Sequence, residues 1–283
     1  MNAVAELPAL RQQYQQARSA AIERFRTTQD PEALARALGR ATDRALRGLW
    51  RIARPGRQTA LLAVGGYGRG DQFPQSDVDL LILHADRPDA EQLQRLEAFV
   101  GACWDFGLPI GHSVRTLAQC LEEARADITV QTAMLEMRWL AGARNQATEL
   151  AERLRGELDV RSFFSAKLLE MRQRHAKYED TPYSLEPNTK ESPGGLRDLH
   201  VILWIARAAG FGSSWPDLQR RDLITASEAG QLRRNDRQIR RIRAWLHILS
   251  GRREDRIVFD LQASVAAALG LARADARASS EEL

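Results

Sequence analysis

The sequence lacks several features that would place it in a specialised class of protein. Its 283 residues include only two cysteines, Cys103 and Cys120, and their separation does not fit metal-ligand spacing. Neither a disulfide framework nor a zinc site is therefore expected, and a reducing cytoplasm is the natural location. No apolar run approaches the roughly 20 residues that a membrane helix needs, and no secretory signal is visible at the N-terminus. We expect a cytoplasmic protein without a membrane segment.

Lysine is also scarce, with three residues in the whole chain, so the net charge of +4 comes from arginine. A pI near 9.4 is compatible with an anionic partner such as a nucleotide, a nucleic acid or an acidic protein. Nucleic-acid binding is not expected, because aromatic residues are not interleaved with the basic ones. The 44% hydrophobic and 28% charged content is typical of a soluble globular protein.

Hydrophobic periodicity divides the first half of the chain into helices and strands. Two helices are predicted before Pro55, separated at Asp30 and Pro31, which suit the start of a helix. Short apolar runs predict strands over 59–64, 78–83 and 108–115, with a helix over 89–106. Thr116 with Gln119 predicts a capping box, and Asp127 is interpreted as the cap of a further helix that runs to about residue 140. Strands interleaved with helices favour a small α/β domain.

The second half of the chain is predicted to be helical, with no convincing strand. The helical stretches are 145–158, 162–178, 198–209, 226–250 and 260–270. A long irregular segment, 179–197, interrupts them, and such loops are often functional. The last residues, 272–283, are expected to be frayed. The predicted division is N-terminal helices over 1–56, a small domain of strands and helices over 57–143 and a helical domain over 144–283.

The most informative segment is a glycine cluster, GGYGRG, at residues 65–70. Glycines let the backbone turn sharply and approach a ligand closely, and exposed N–H groups in such a loop can bind phosphate oxygens. The segment is not a Walker motif, because no Gly-Lys-Ser/Thr follows it. Nor is it a dinucleotide fingerprint, because the spacing and the following helix of that motif are both absent.

Two aspartates follow the glycine cluster, Asp77 and Asp79, with Val78 between them. In a strand, residues two apart point to the same face, so the two carboxylates are expected to converge. Like charges held so close repel each other unless a cation lies between them. Mg²⁺ is the plausible cation, because it prefers oxygen ligands and is usually shared with substrate phosphates. The pattern therefore predicts a metal site that aligns a phosphoryl-transfer reaction.

This arrangement resembles the nucleotidyltransferase superfamily that includes DNA polymerase β. More narrowly, it resembles the N-terminal part of the bacterial bifunctional PII uridylyltransferase/uridylyl-removing enzymes. The segments that carry the resemblance are GGYGRG (65–70), SDVDLLIL (76–83), WDFGL (104–108), GHSVRT (111–116), LEPN (185–188), KESPGGLRD (190–198) and GRREDR (251–256). They extend over most of the chain.

The resemblance implies an α+β fold, with a polymerase β-like core and N-terminal helices followed by an all-helical domain. It also implies Mg²⁺-dependent transfer of UMP from UTP to a tyrosine of the signalling protein PII, with release of pyrophosphate. Asp77 and Asp79 would be the catalytic metal ligands. The expected nucleotide contacts are Gly65, Gly66, Arg69, Ser76, Lys190 and Arg197.

The sequence departs from the family pattern at two points. The superfamily usually has a third carboxylate on a neighbouring strand, but residues 109–115 contain no acid, which leaves His112 and Asp127 as candidate bases. The metal-dependent hydrolase and sensing domains of the family also find no counterpart in this chain, so uridylyl removal is not expected of it. Two alternatives stay open: a protein adenylyltransferase of the same superfamily, or a non-catalytic module that binds nucleotide or PII.

Overall fold

The computed structural model describes residues 3–85, 88–178, 181 and 184–271, and these residues form two compact units. Unit 1 takes in the chain up to Thr28, Ala33–Gln72 and Ser76–Leu158. Unit 2 takes in Gln29–Glu32, Phe73–Gln75 and the chain from Asp159 onward. Each unit is therefore assembled from separate stretches of the sequence.

Unit 1 is built on a mixed sheet in which, among the described residues, four strands follow the order β3-β2-β1-β4. Strand β1 runs antiparallel to β2 and to β4, whereas β2 runs parallel to β3. The strands are β1 Thr59–Ala63, β2 Val78–His84, β3 Ile110–Arg115 and β4 Arg138–Gly142. The three predicted strands are confirmed, and the α+β fold class holds.

Strand β4 corrects the prediction of a helix from Asp127 to about residue 140. Helix α6 ends at Leu135, and the chain from Arg138 onward pairs with β1. Strand β1 is buried at all five positions, so the backbone groups on its outer edge need a partner inside the protein. This pairing across the sheet outweighs the helical periodicity of the local sequence.

Helices cover both faces of the sheet in unit 1. They are α1 Ala3–Thr28, α2 Pro31–Ala53, α3 Gly65–Arg69, α4 Ala90–Phe106, α5 Leu117–Ala126, α6 Ile128–Leu135 and α7 Arg144–Glu157. The predicted capping box at α5 is present, since Thr116 Oγ1 accepts from the Gln119 N–H (3.2 Å) and Gln119 Oε1 accepts from the Thr116 N–H (2.8 Å). Asp127 caps α6 by accepting from the Thr129 N–H at 2.6 Å.

The hydrophobic core of unit 1 lies on the two faces of the sheet. On one face, Leu80 and Ile82 of β2 pack with α2 and α4 side chains that include Leu49 and Phe99. On the other face, a second set of buried side chains joins strands to α5 and α7: Leu62, Leu81, Cys120, Ala147, Leu150 and Leu154. Helices α2 and α7 therefore belong to unit 1, whereas the division predicted from the sequence placed both outside the domain over 57–143.

Unit 2 consists mainly of helices. They are α8 Val160–Lys177, α9 Leu196–Ala208, α10 Trp215–Arg220, α11 Ala226–Ser250 and α12 Phe259–Ala268. Helix α10 was not predicted. It begins at Ser214, whose side chain accepts from the Asp217 N–H, and it carries a proline in its first turn. The expected frayed segment 272–283 lies outside the described residues. None of the described helices is both long and apolar enough to cross a bilayer.

Hydrogen bonds hold the long segment before α9 in its described part. Asn188 Oδ1 accepts from the N–H groups of Lys190 (2.9 Å) and Glu191 (2.8 Å), which closes a turn. Asn188 also bridges to Arg256, and the Thr189 N–H donates to the Asp255 carbonyl at 2.8 Å. The segment is thus fastened to the loop that joins α11 to α12.

Candidate active site

The glycine cluster forms a turn of helix directly after β1. Helix α3 spans Gly65–Arg69, so the glycines themselves form the helical turn, and residues 71–77 after them are not helical. Gly65 has a φ of +56°, a conformation that favours glycine. Gly68 is packed against backbone: a Cβ there would lie 2.3 Å from the carbonyl oxygen of Glu136 and 2.9 Å from that of Ala63. The cluster is therefore a compact corner that leaves no room for larger residues at Gly68.

A buried tyrosine fastens this corner to α2. The Tyr67 hydroxyl donates to Asp43 Oδ1 at 2.6 Å, and Arg138 of β4 donates to both carboxylate oxygens of Asp43 at 2.7 and 3.0 Å. The Arg138 guanidinium also lies over the Tyr67 ring at 5.3 Å. Burial and the neighbouring Asp43 carboxylate raise the pKa of Tyr67, so its phenol keeps the proton that it donates.

Arg69 forms a second anchor for the same corner. Its Nη1 lies 2.5 Å from Glu136 Oε1 and its Nε lies 2.6 Å from Asp71 Oδ2. Burial lowers the pKa of the Arg69 guanidinium, but Asp71 and Glu136 outweigh that effect and raise it overall. The sequence suggested a nucleotide contact for Arg69. In the structure its guanidinium is occupied by two carboxylates, and a nucleotide contact stays a prediction.

The two aspartates lie beside this corner. Asp77 and Asp79 are exposed while Val78 and Leu80 are buried, so the predicted alternation at the start of β2 is confirmed. The carbonyl oxygen of Asp79 accepts from the Val64 N–H at 3.0 Å, which joins β2 to the residue before α3. A Cβ on Gly65 would lie 3.5 Å from Asp79 Oδ2, so this carboxylate is next to the first glycine of the cluster.

No acidic side chain reaches the Asp79 carboxylate from β3. In the parallel register Asp79 is paired with Gly111, and a Cβ on Gly111 would lie 2.8 Å from Asp79 Oδ1. The two candidate bases have structural contacts instead. The ring of His112 lies 5.7 Å from that of Trp104, and Asp127 caps α6.

Asp77 and Asp79 suit a hard divalent cation. Both residues are exposed and carry carboxylate oxygens, the donor type that Mg²⁺ prefers, and phosphates and water commonly complete its shell. The described part of the chain contains no group of three or more His, Cys, Asp or Glu residues that could hold a metal ion. The donor set therefore fits a metal that is shared with a ligand better than one enclosed by protein.

The remaining predicted contacts lie in different parts of the chain. Gly66 follows Gly65 in α3, and Ser76 directly precedes Asp77, all within unit 1. Lys190 and Arg197 belong to unit 2, where both lie near Glu191: Lys190 Nζ is 3.6 Å and Arg197 Nη2 is 2.9 Å from its Oε1. Burial lowers the pKa of Lys190, and the charges of Arg197 and Arg243 lower it further.

The residues that hold the corner in place were not among the predicted site residues. Asp43 and Glu136 are 24 and 67 positions from the residues they bind, Tyr67 and Arg69. No local pattern connects residues so far apart.

Two family models match the chain. Residues 15–106 match a family described as a putative nucleotidyltransferase, DUF294, and this range contains α3, Asp77 and Asp79. Residues 162–283 match the family of the GlnD PII-uridylyltransferase, and this range contains Lys190 and Arg197. Asp77 and Asp79 on the one hand, and most of the helical unit on the other, are thus matched by separate family models.

Curated relatives match nearly the entire chain. A protein of Bordetella parapertussis and one of Burkholderia pseudomallei, each named bifunctional uridylyltransferase/uridylyl-removing enzyme, are 53% and 52% identical over 278 residues. Those alignments cover 98% of this chain and 32% of each relative, so the chain spans about a third of the relatives' length.

A solved structure described as a toxin-antitoxin with AMP-PNP aligns with 49% of the chain, and the alignment covers 96% of that structure. Its identity is 17% and its TM-score 0.27, values too low to support an argument about this protein. The sequence relatives are more informative. With 53% identity over 98% of its length, the chain is similar to about a third of the length of proteins named bifunctional uridylyltransferase/uridylyl-removing enzyme.

Proposed function

We propose that this chain catalyses the Mg²⁺-dependent transfer of UMP from UTP to a tyrosine of the protein PII in the cytoplasm, releasing pyrophosphate. The observation that carries the proposal is the pair of exposed carboxylates, Asp77 and Asp79, next to Gly65 in a chain similar to these enzymes. In a strand, two residues separated by one buried residue point to the same face, where both carboxylates can bind one metal ion.

Each residue has a distinct part in the proposed reaction. Asp77 and Asp79 would hold Mg²⁺, which when bound offsets the negative charge of the triphosphate. The N–H groups at Gly65 and Gly66 would bind phosphate oxygens, and Val64, which precedes them, provides no side-chain cap that competes for these donors. Ser76 would donate its hydroxyl to the triphosphate.

Lys190 and Arg197 of unit 2 are further proposed nucleotide contacts. Lys190 or Arg197 would donate to a phosphate oxygen, and the short bonds of Arg197 to Glu191 leave Lys190, at 3.6 Å, the more weakly held of the two cations. The tyrosine hydroxyl of PII would lose its proton to water and its oxygen would form a bond to the α-phosphorus of UTP. The bond from that phosphorus to the bridging oxygen would break and release pyrophosphate.

Intact-mass measurement of PII after incubation with the chain, Mg²⁺ and either UTP or ATP tests this proposal. We expect a gain of one UMP, and we expect Asp77→Asn and Asp79→Asn to abolish it. Glu97→Gln removes an exposed acid on α4 and serves as the matched control, with activity retained. A gain of AMP would instead support a protein adenylyltransferase.

The absence of an acid on β3 favours a second candidate, a module that binds nucleotide or PII without catalysis. Under that alternative, UTP binds but PII gains no mass with either nucleotide. Isothermal titration with UTP, run beside the mass measurement, separates the two functions. Retention of both Asp77 and Asp79 supports catalysis, because binding alone has little need for the pair.

A further inference from the structure

Three residues between the glycine cluster and Asp77 belong to unit 2 by their contacts. The chain leaves unit 1 after Gln72, places Phe73–Gln75 in unit 2 and returns at Ser76. Phe73 and Pro74 are buried. The short stretch that leads into the proposed metal ligands is therefore held by residues that are distant in the sequence.

His247 of α11 holds the backbone of this stretch. Its Nδ1 accepts from the Gln75 N–H at 3.2 Å, and its Nε2 lies 3.2 Å from Asp255 Oδ1. Because Nδ1 accepts, the proton of the neutral ring resides on Nε2 and is donated to Asp255. The side chain of His247 is completely buried, so no solvent competes for either bond.

Arg243 and Asp255 complete the arrangement. Arg243 Nε donates to Asp255 Oδ1 at 2.6 Å, and its guanidinium lies 4.2 Å from the centroid of the Phe73 ring. The Phe73 ring is also 5.9 Å from the ring of His247. Asp255 is itself fixed, since its carbonyl accepts from the N–H and the hydroxyl of Thr189 at 2.8 and 3.0 Å.

The chain between this arrangement and the metal ligands is very short. Ser76 is the one residue between Gln75 and Asp77, and after Asp77 the Val78 N–H donates to the Pro109 carbonyl at 2.9 Å. Each residue spans at most about 3.6 Å, so a fixed Gln75 limits the positions open to the backbone of Asp77 two residues later. Without the hydrogen bond from Gln75 to His247, the nearest restraint on the backbone of Asp77 would be the hydrogen bond of Val78 at the start of β2.

We propose that His247 is a positioning residue for Asp77, acting through Gln75 and supported by Asp255 and Arg243. The inference rests on the proposed function insofar as Asp77 is taken as a metal ligand. A purely structural role for His247 would stabilise unit 2 without affecting metal binding, and the two roles predict different results.

Variants of His247 test the inference in the full chain. His247→Phe keeps a buried ring but removes the acceptor for the Gln75 N–H, whereas His247→Asn places an oxygen near the former Nδ1. His200→Phe is the matched control, because His200 is also a buried histidine of unit 2 and its ring lies 5.8 Å from that of Trp204. The readouts are hydrogen exchange of peptide 72–78 by mass spectrometry and Mn²⁺ binding by electron paramagnetic resonance.

We expect amide exchange in peptide 72–78 to rise about tenfold in His247→Phe, the usual effect of losing one buried hydrogen bond. The Mn²⁺ dissociation constant should rise by about fivefold or more, as it should in Asp77→Asn. His247→Asn should bring both values back to within about threefold of the wild type. His200→Phe should leave both unchanged.

Several results would overturn the inference. One is unchanged exchange in His247→Phe; another is faster exchange with Mn²⁺ affinity equal to that of the wild type. Equal changes in His200→Phe, or unchanged Mn²⁺ binding in Asp77→Asn, would do the same. If circular dichroism shows that His247→Phe does not fold, Phe73→Leu replaces it and should change both readouts in the same direction.

The same samples separate this inference from the proposed function. A wild-type chain that binds Mn²⁺ in a His247-dependent way but transfers no UMP to PII refutes the proposed transfer and supports the positioning role. A chain that transfers UMP equally well in His247→Phe, with the same Mg²⁺ requirement, supports the transfer and refutes the positioning role.

Discussion

Asp79 and Gly111 face each other across the parallel strands β2 and β3, and a Cβ on Gly111 would lie 2.8 Å from Asp79 Oδ1. The carboxylate therefore occupies space that any other residue at position 111 would take. The missing acid on β3 and the placement of Asp79 are two aspects of one packing arrangement. A side chain at position 111 would compete with Asp79 rather than assist it.

Gly111→Ala is expected to displace the Asp79 carboxylate and lower UMP transfer by about 10- to 100-fold, because small misplacements of reacting groups are costly. The unfolding free energy should change by less than about 1 kcal/mol, since the exposed carboxylate can rotate away. Steady-state kinetics over a range of Mg²⁺ concentrations, with urea unfolding alongside, measure both effects. Gly101→Ala is the control, because no heavy atom lies within 4 Å of its added Cβ. Full activity in Gly111→Ala would contradict the prediction.

Gly68→Ala should destabilise unit 1 by about 2 kcal/mol or more, because its Cβ would lie 2.3 Å from a backbone oxygen that cannot move alone. Thermal unfolding followed by circular dichroism measures the loss. Gly66→Ala is the matched variant, as the nearest atom to its added Cβ is Arg69 Nη2 at 3.8 Å. We expect Gly66→Ala to keep its stability and to weaken UTP binding. Equal melting temperatures for the two variants would refute the distinction.

Arg69→Met removes the cation that pairs with the buried Glu136 carboxylate and should cost about 3 kcal/mol of unfolding free energy. The double variant Arg69→Met/Glu136→Gln should recover part of this loss, because the buried charge is then gone. Urea unfolding of the wild type, both single variants and the double variant gives the coupling energy. Additive losses would show that the ion pair does not stabilise the corner.

The stability of the chain should fall as the pH decreases below about 6.5. Burial lowers the pKa of His247, with Asp255 opposing the shift and Arg243 adding to it. The unfolded chain therefore takes up a proton on this histidine at a higher pH than the folded chain does. The unfolding free energy is highest above pH 6.5 and decreases by at most about 1.4 kcal/mol per pH unit until the folded histidine is protonated.

A second decrease in the unfolding free energy should appear at much lower pH. Burial raises the pKa of Asp255, but His247 and Arg243 outweigh it and hold the pKa well below its usual range. The contribution of Asp255 to the unfolding free energy is therefore present above about pH 4 and lost as the pH decreases further.

Urea unfolding between pH 7.5 and 5 tests the role of His247. The unfolding free energy should decrease less for His247→Phe than for the wild type. Parallel curves for the two proteins would exclude His247 as the titrating group.

The two thiols should be inert in the folded protein. Cys103 and Cys120 are buried, and burial raises the pKa of each to about 12, so almost no thiolate is present at neutral pH. Ellman's reagent should label neither cysteine in the native chain and both in guanidinium chloride. Rapid native labelling would show that the core around α4 or α5 opens.

The sequence predicted most of the helices and the first three strands because their signals are local. The alternation at Asp77–Leu80 and the capping box at Thr116 each depend on residues a few positions apart. Strand β4 escaped prediction because its structure comes from pairing with β1, about 80 positions earlier in the chain. The hydrophobic periodicity of the local sequence does not indicate pairing with a distant strand.

Within the site, residue types were easier to predict than placement. Glycines next to paired aspartates indicated phosphate and metal chemistry without any coordinates. The anchoring of Tyr67 by Asp43 and of Gln75 by His247 could not be predicted, because those partners are 24 and 172 positions apart. Arg69 is a similar case, because its charge is evident in the sequence whereas its ion pair with Glu136 is not.

The assignment of Phe73–Gln75 to unit 2 has a consequence for how the protein is made. During synthesis these residues emerge long before α11. The hydrogen bond from the Gln75 N–H can form only once His247, 172 residues later, has been synthesised. A fragment that stops at Leu158 would leave the apolar ring of Phe73 exposed. Folding of the stretch that leads to Asp77 therefore completes only after α11 has left the ribosome.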